Sequence, residues 1–155
     1  SISILKQSSI IDTINAINEL SKKNNIPRSK IVVDEDGIGG GVVDSLKCKG
    51  FVNNSKAIKE KGKDTNFANL KSQCYFRLAE YVNSSKIFVS CNEQTKQTLL
   101  EELEVVRRKD ADKDGRVAVE GKDRVKELIG RSPDISDALM MRMYFEISKT
   151  TTKWV

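Results

Sequence analysis

Apolar residues recur at helical spacing in several stretches of the chain and gather into short runs elsewhere. Ile10, Ile14, Ile17 and Leu20 predict a helix opening at Ser9. Asp12 stands three residues on, the spacing of a capping box. Asn24, Asn25 and Pro27 end that helix. Phe67, Leu70, Cys74 and Leu78 predict a long amphipathic helix over 66–82. Shorter helices are predicted at Val42–Leu46, Thr95–Leu103 and Lys122–Ile129, the last closed by Gly130. A final helix should begin at Ser132-Pro133, with Ser132 as N-cap and Pro133 in the first turn, and Ile135, Leu139 and Met143 along one side.

The short apolar runs read as strands: Ile2–Leu5, Ile31–Val33, a piece near Phe51-Val52, and Ile87–Val89. Leu103–Arg107 and Arg116–Val119 alternate around a polar 110–115 segment and predict a β-hairpin. Residues 47–63 are polar and lysine-rich, and predict an exposed loop. The opening alternation of strand, helix, strand, glycine turn and helix is that of an α/β domain with parallel strands. No internal repeat or interdomain linker interrupts it, so 1–155 reads as a single domain.

Composition narrows the chemistry. The chain has 155 residues, 38% hydrophobic and 32% charged, and a formal net charge of +5. That suits a globular protein and mildly favours polyanionic partners. No apolar run is long enough to span a bilayer. Histidine is absent, which removes His-based zinc sites and His-activated nucleophiles. The three cysteines form no CxxC pair, which fits a reducing compartment. The chain opens Ser-Ile-Ser-Ile-Leu, without initiator Met, basic leader or cleavage site. Ser1 is therefore expected to be a boundary within a longer protein.

Several candidate motifs fail on spacing. Asp110, Asp112, Asp114 and Gly115 match the start of an EF-hand loop. Its twelfth position is Gly121, however, and the flanks predict strands. The Gly39–Gly41 cluster lacks the Gly-Lys-Ser/Thr of a P-loop, and two acids separate it from the strand, unlike a dinucleotide fingerprint. It predicts a tight turn with room for a polyanion or another backbone to approach.

Two acidic positions carry more information. Asp34 follows Ile-Val-Val at the carboxyl end of a strand, where α/β sheets bind ligands. Position alone supports a ligand-binding carboxylate and a cap on the Asp36-Gly37 turn equally. Asp134 and Asp137 lie i, i+3 on the first turn of a helix, so both project from one face. Acids there also favour the helix dipole. Asp137, followed by Ala-Leu-Met-Met, should sit near the core boundary. Without histidine, a carboxylate-only Mg²⁺ or Mn²⁺ site is the phosphoryl chemistry that this composition allows.

Val32-Val33-Asp34-Glu35-Asp36-Gly37-Ile38-Gly39-Gly40-Gly41 resembles the strand-Asp-x-x-Gly-x-Gly segment of the large terminase subunit of tailed bacteriophages. Gly130-Arg131-Ser132-Pro133-Asp134-Ile135-Ser136-Asp137-Ala138-Leu139 resembles the RSPD-x-x-DAL segment near that protein's C-terminus. The two occur in the family's order and separation, with the long helix, Glu101-Glu102-Leu103 and a basic stretch between them, and the resemblance covers nearly the whole chain. The resemblance implies an RNase H-like nuclease, an α/β fold with a mixed β-sheet flanked by helices. It implies a metal-dependent endonuclease that cuts concatemeric phage DNA during genome packaging.

In that family acids hold two divalent ions, Mg²⁺ or Mn²⁺. The resemblance makes Asp34 and Asp137 catalytic metal ligands and gives Asp134 an assisting role. It makes Asp36, Gly37 and Gly39 turn residues or residues behind the metal. Lys122, Arg124 and Arg131 would contact DNA phosphates. The implied partners are double-stranded DNA, the small terminase subunit and the portal protein, with self-association allowed and no membrane. The implied location is the cytoplasm of the bacterial host. The first-strand acid and the ATPase half have no match, so the chain is expected to lack the first strand of its own nuclease fold and to be weakly active or inactive. Another RNase H-like nuclease, of resolvase or transposase type, would use the same acids. A non-catalytic DNA-binding or assembly module would use them as caps and turns.

Overall fold

In the computed structural model, residues 1–6, 9–109 and 115–149 are described. They divide into two compact units, Ser3–Asn53 and Asn54–Val155 with Ser1–Ile2.

In the first unit, helix α1 (Ile10–Lys23) starts as its capping box requires. The Ser9 hydroxyl accepts from the Asp12 N–H, and the Asp12 carboxylate accepts from the Ser9 N–H at 3.0 Å. Asn24 caps its end, and Asn25 turns the chain with a positive φ. Strand β1 (Val32–Asp34) pairs in parallel with β2 (Lys49–Phe51), in register Val32–Lys49, Val33–Gly50 and Asp34–Phe51. Helix α2 (Gly39–Leu46) makes the crossover that a parallel pair needs. Val42, Leu46 and Phe51 form this unit's buried apolar set. No residue of α1 is buried, and Ile10, Ile11 and Leu20 remain exposed.

In the second unit, helices α3 (Leu70–Asn83), α4 (Glu93–Val105), α5 (Lys122–Ile129), α6 (Asp134–Arg142) and α7 (Tyr144–Lys149) enclose most of the apolar core. Leu70, Cys74, Tyr75 and Leu78 of α3 are buried, as are Leu99, Val125, Met140, Met143, Phe145 and Ile147. Strand β3 (Arg108–Lys109) pairs antiparallel with β4 (Ala118–Val119). Among the described residues the parallel and the antiparallel pair form two separate two-stranded sheets rather than one mixed sheet. Among the described residues no helix is long and apolar enough to cross a membrane.

Several predicted elements change. Ile2–Leu5 and Ile87–Val89 form no strand. A strand exists through its ladder, and neither segment pairs with another described strand. Ile4 and Leu5 are exposed, and Phe88 is 90% exposed. Helix α3 begins at Leu70 rather than Asn66, because 66–68 bridge to Val117 instead. Asn69 is its N-cap, accepting from the Ser72 N–H at 2.8 Å. Leu103–Val105 complete α4, so the hairpin pairs only from Arg108, and its tip, 110–114, lies outside the described residues. The triple glycine is the first turn of α2, not a loop. Within 47–63 the strand expected near Phe51-Val52 is present as β2, and the remainder is not a plain exposed loop but contains a hairpin-like turn bound to α3. Along α6 the buried residues are Ser136 and Met140, each one position past the predicted Ile135 and Leu139, while Met143, just after the helix, is buried as expected.

Candidate active site

Asp137 stands at the fourth position of α6 and is nearly enclosed, its side chain 13% exposed. Three groups converge on it. Tyr75 of α3 donates its hydroxyl to Oδ1 at 2.7 Å. Lys71, one turn earlier on α3, places Nζ 3.1 Å from the same oxygen. Lys122, at the start of α5, places Nζ 3.6 Å from Oδ2. Lys71 and Tyr75 share a helix face by their i, i+4 spacing, and the ammonium lies 5.6 Å from the phenol ring centre. Burial, and then the negative charge of Asp137, push the Tyr75 phenol well above its ordinary range. It therefore stays protonated and keeps donating.

The helix start that carries Asp137 is held from α4. Glu102 is 1% exposed. Its Oε2 accepts the Ser136 N–H at 2.7 Å, doing for α6 the work of an N-cap. This corrects the expectation for Ser132: Pro133 is the residue preceding the helix, and no side chain of its own caps it. Arg131 pairs through its guanidinium with Glu102 Oε1 and reaches Glu101 at 3.1 Å. Burial lowers the Arg131 pKa, but the hydrogen bonds to Glu102 and Glu101 outweigh it and raise the net value. Arg131 thus ties α4 to the turn before α6.

Asp34 has a different setting, in the first unit. Its Oδ1 accepts the Asp36 N–H at 3.1 Å, an Asx-type turn, and the Asn53 amide at 3.4 Å. Asp36 Oδ2 accepts the Asn53 backbone N–H at 3.1 Å and its side-chain amide at 2.8 Å. Asn53, just after β2, thereby joins the turn to the strand pair. Gly37 takes a φ of 77° within that turn. Gly39 is required by contact: a β-carbon there would lie 1.7 Å from the Asp34 carbonyl oxygen. Close approach of another backbone, one of the two expectations for the glycines, is what Gly39 provides.

Of the other predicted residues, Asp134 is exposed at the start of α6. Arg124 pairs with Glu127 at 3.1 Å on the surface of α5. Sequence reasoning missed Lys71, Tyr75, Asn53 and the role of Glu102. Only Glu102 left a usable signal: it stands three residues after Leu99 on the buried face of α4 with Thr95.

Carboxylates suit Mg²⁺ and Mn²⁺ as hard oxygen donors. Among the described residues, however, no three acidic, cysteine or histidine side chains gather to hold an ion. Asp137 is charge-balanced by two lysines, and Asp34 by none of the described ion pairs. These residues do not by themselves fit a two-ion donor set.

No protein-family model matches the chain, and no curated protein matches it by sequence. Solved structures do. A mutant nuclease domain of the large terminase subunit gp2 of bacterial virus Sf6, with manganese, matches at a TM-score of 0.70 and 19% identity. The match covers 88% of this chain and 74% of that one. A mutant of the same protein with calcium matches at 0.71 and 19% identity, covering 88% and 73%. A further structure of the nuclease domain of that subunit matches at 0.68 and 19% identity, covering 85% and 71%. The fold of this chain is the RNase H-like fold of a phage large-terminase nuclease domain.

Proposed function

We propose that this chain is a DNA-cutting nuclease domain of the phage large-terminase type, acting with divalent cations on double-stranded DNA during genome packaging. The observation that carries this reading is the fold, shared over 88% of the chain with a nuclease domain solved with manganese. The two motif segments add to it, since both resemble segments of the large terminase subunit. In this reading Asp34 and Asp137 are metal ligands and Asp134 assists. Mg²⁺ or Mn²⁺ is the cofactor, with two ions in the complete site. The small terminase subunit and portal protein are its assembly partners, and the host cytoplasm is its location.

The chain's own residues give Asp137 a fixed place. Glu102 holds the α6 backbone, and Tyr75 and Lys71 hold the carboxylate. Such fixation is what a ligand or catalytic carboxylate needs, because a small misplacement costs much of the rate. A non-catalytic DNA-binding module is the second reading. It is favoured by the turn network that already employs Asp34 and by the two lysines that balance Asp137.

The test is conversion of supercoiled plasmid to open circles by the protein expressed from its full reading frame. Cutting in Mg²⁺ or Mn²⁺ that stops in EDTA supports the nuclease. Plasmid binding with no cutting in any divalent cation supports the second reading.

A further inference from the structure

Residues 56–64 carry lysines at 56, 59, 61 and 63 and acids at 60 and 64. Such a composition alone describes a solvated loop. The structure builds it into something firmer. Glu60 and Lys63 exchange both backbone hydrogen bonds, each 3.0 Å. Lys61 and Gly62 are therefore the two-residue tip of a tight turn, with φ of 51° and 79°. Positive φ at both places marks a type I′ turn, where Asn-Gly is the favoured pair. Gly62 takes its conformation freely. Lys61 does not, since left-handed backbone crowds a residue that carries a β-carbon.

Two side chains of α3 hold the turn from behind. Gln73, 1% exposed, accepts the Ile58 N–H at 2.7 Å and donates to the Ile58 carbonyl at 2.8 Å and to Glu60 at 3.0 Å. Arg77 pairs with Glu60 at 2.6 Å. The charge of Glu60 is thus answered from within. On the outer side Lys56, Lys59, Lys61 and Lys63 are all exposed. Asp64 lies 3.4 Å from Lys56 and 3.6 Å from Lys59. Among the described residues Lys61 and Lys63 have no ion-pair partner.

A buried amide and a guanidinium that fix a lysine-tipped turn reduce the ordering cost of meeting a partner. Closely spaced ammonium groups on a fixed backbone match a row of phosphates and release their counterions. We propose that the Lys56–Lys63 turn is a contact surface for the phosphate backbone of duplex DNA, in addition to any contact made by Lys122, Arg124 and Arg131. The choice of DNA as the polyanion rests on the proposed function. The surface itself rests on the turn.

The test measures binding without cutting. Fluorescence anisotropy of a labelled short duplex is followed in EDTA across a salt series. The triple variant Lys59→Gln, Lys61→Gln and Lys63→Gln is compared with a control of equal charge change, Lys86→Gln, Lys96→Gln and Lys126→Gln. The turn variant should lower the slope of log affinity against log salt by about 2 to 3 and weaken binding at least about tenfold. The control should move both much less. All substituted side chains are exposed, so melting curves should coincide and exclude misfolding. If the turn variant behaves like the control, the surface is wrong and the nuclease reading stands. If the parent chain binds an acidic protein or heparin but not the duplex, the surface is not a DNA contact, and plasmid cutting reports separately on the nuclease.

Discussion

The chain's two informative acids, Asp137 and Asp34, are held by opposite means. Asp137 is nearly enclosed and balanced by two ammonium groups and a phenol. Asp34 is half-buried and held by neutral donors, the Asp36 N–H and the Asn53 amide. A charged cradle stabilises the ionised carboxylate and loses much when the charge goes. A turn network needs only an acceptor oxygen, which an amide also supplies. Identical residue types in similar motif settings therefore differ in how far their charge supports the fold.

The largest effect should come from the support behind Asp137. Arg131→Ala leaves Glu102 buried without its cation. Loss of a partner from a fully buried pair costs about 3–5 kcal/mol. Arg131 is 36% exposed, so about 2–3 kcal/mol is expected, read from urea unfolding. Next, Asp137→Asn keeps the Tyr75 acceptor but leaves Lys71 and Lys122 facing each other's charge. A loss of about 1–2 kcal/mol is expected, and adding Lys71→Met should restore part of it. Asp34→Asn should change stability by less than about 1 kcal/mol, because an amide oxygen still accepts from Asp36. Equal losses for the two Asn variants would erase the contrast between the sites.

A further effect lies at alkaline pH. Burial pushes the Cys74 thiol up to about 12 and the Tyr75 phenol higher still. Both folded values are raised, so their contribution is intact below the unfolded values, about 8.5 for Cys and 10 for Tyr. Above them the unfolded chain releases protons that the folded chain retains, and stability falls. The melting temperature should therefore decline from about pH 9 upward, and Tyr75→Phe should flatten the decline above about pH 10.

What the sequence made legible was local. The Ser9–Asp12 capping box and the Gly130 stop lie within one turn of the elements they bound, and both stand as expected. The β1–α2–β2 unit was legible because β-branched runs and glycines alternate within a short span. Ile87–Val89 has the same apolar character without a strand, because pairing depends on a partner that residues 87–89 cannot specify. The Ser132 cap failed for a related reason: a distant carboxylate, Glu102, took the N–H that a local cap would have used. Asp134 and Asp137 could be placed on one helix face, but the lysines meeting Asp137 come from α3 and α5, and no spacing joins them to it.

Asp34 and Asp137, though held so differently, are proposed to serve one nuclease. Plasmid cutting in Mn²⁺ by the full-reading-frame protein and its Asp34→Ala and Asp137→Ala variants, each first shown to be folded, decides this. The parent should cut and both variants should fall to the EDTA background. Cutting by either variant at the parent's rate would overturn the proposal.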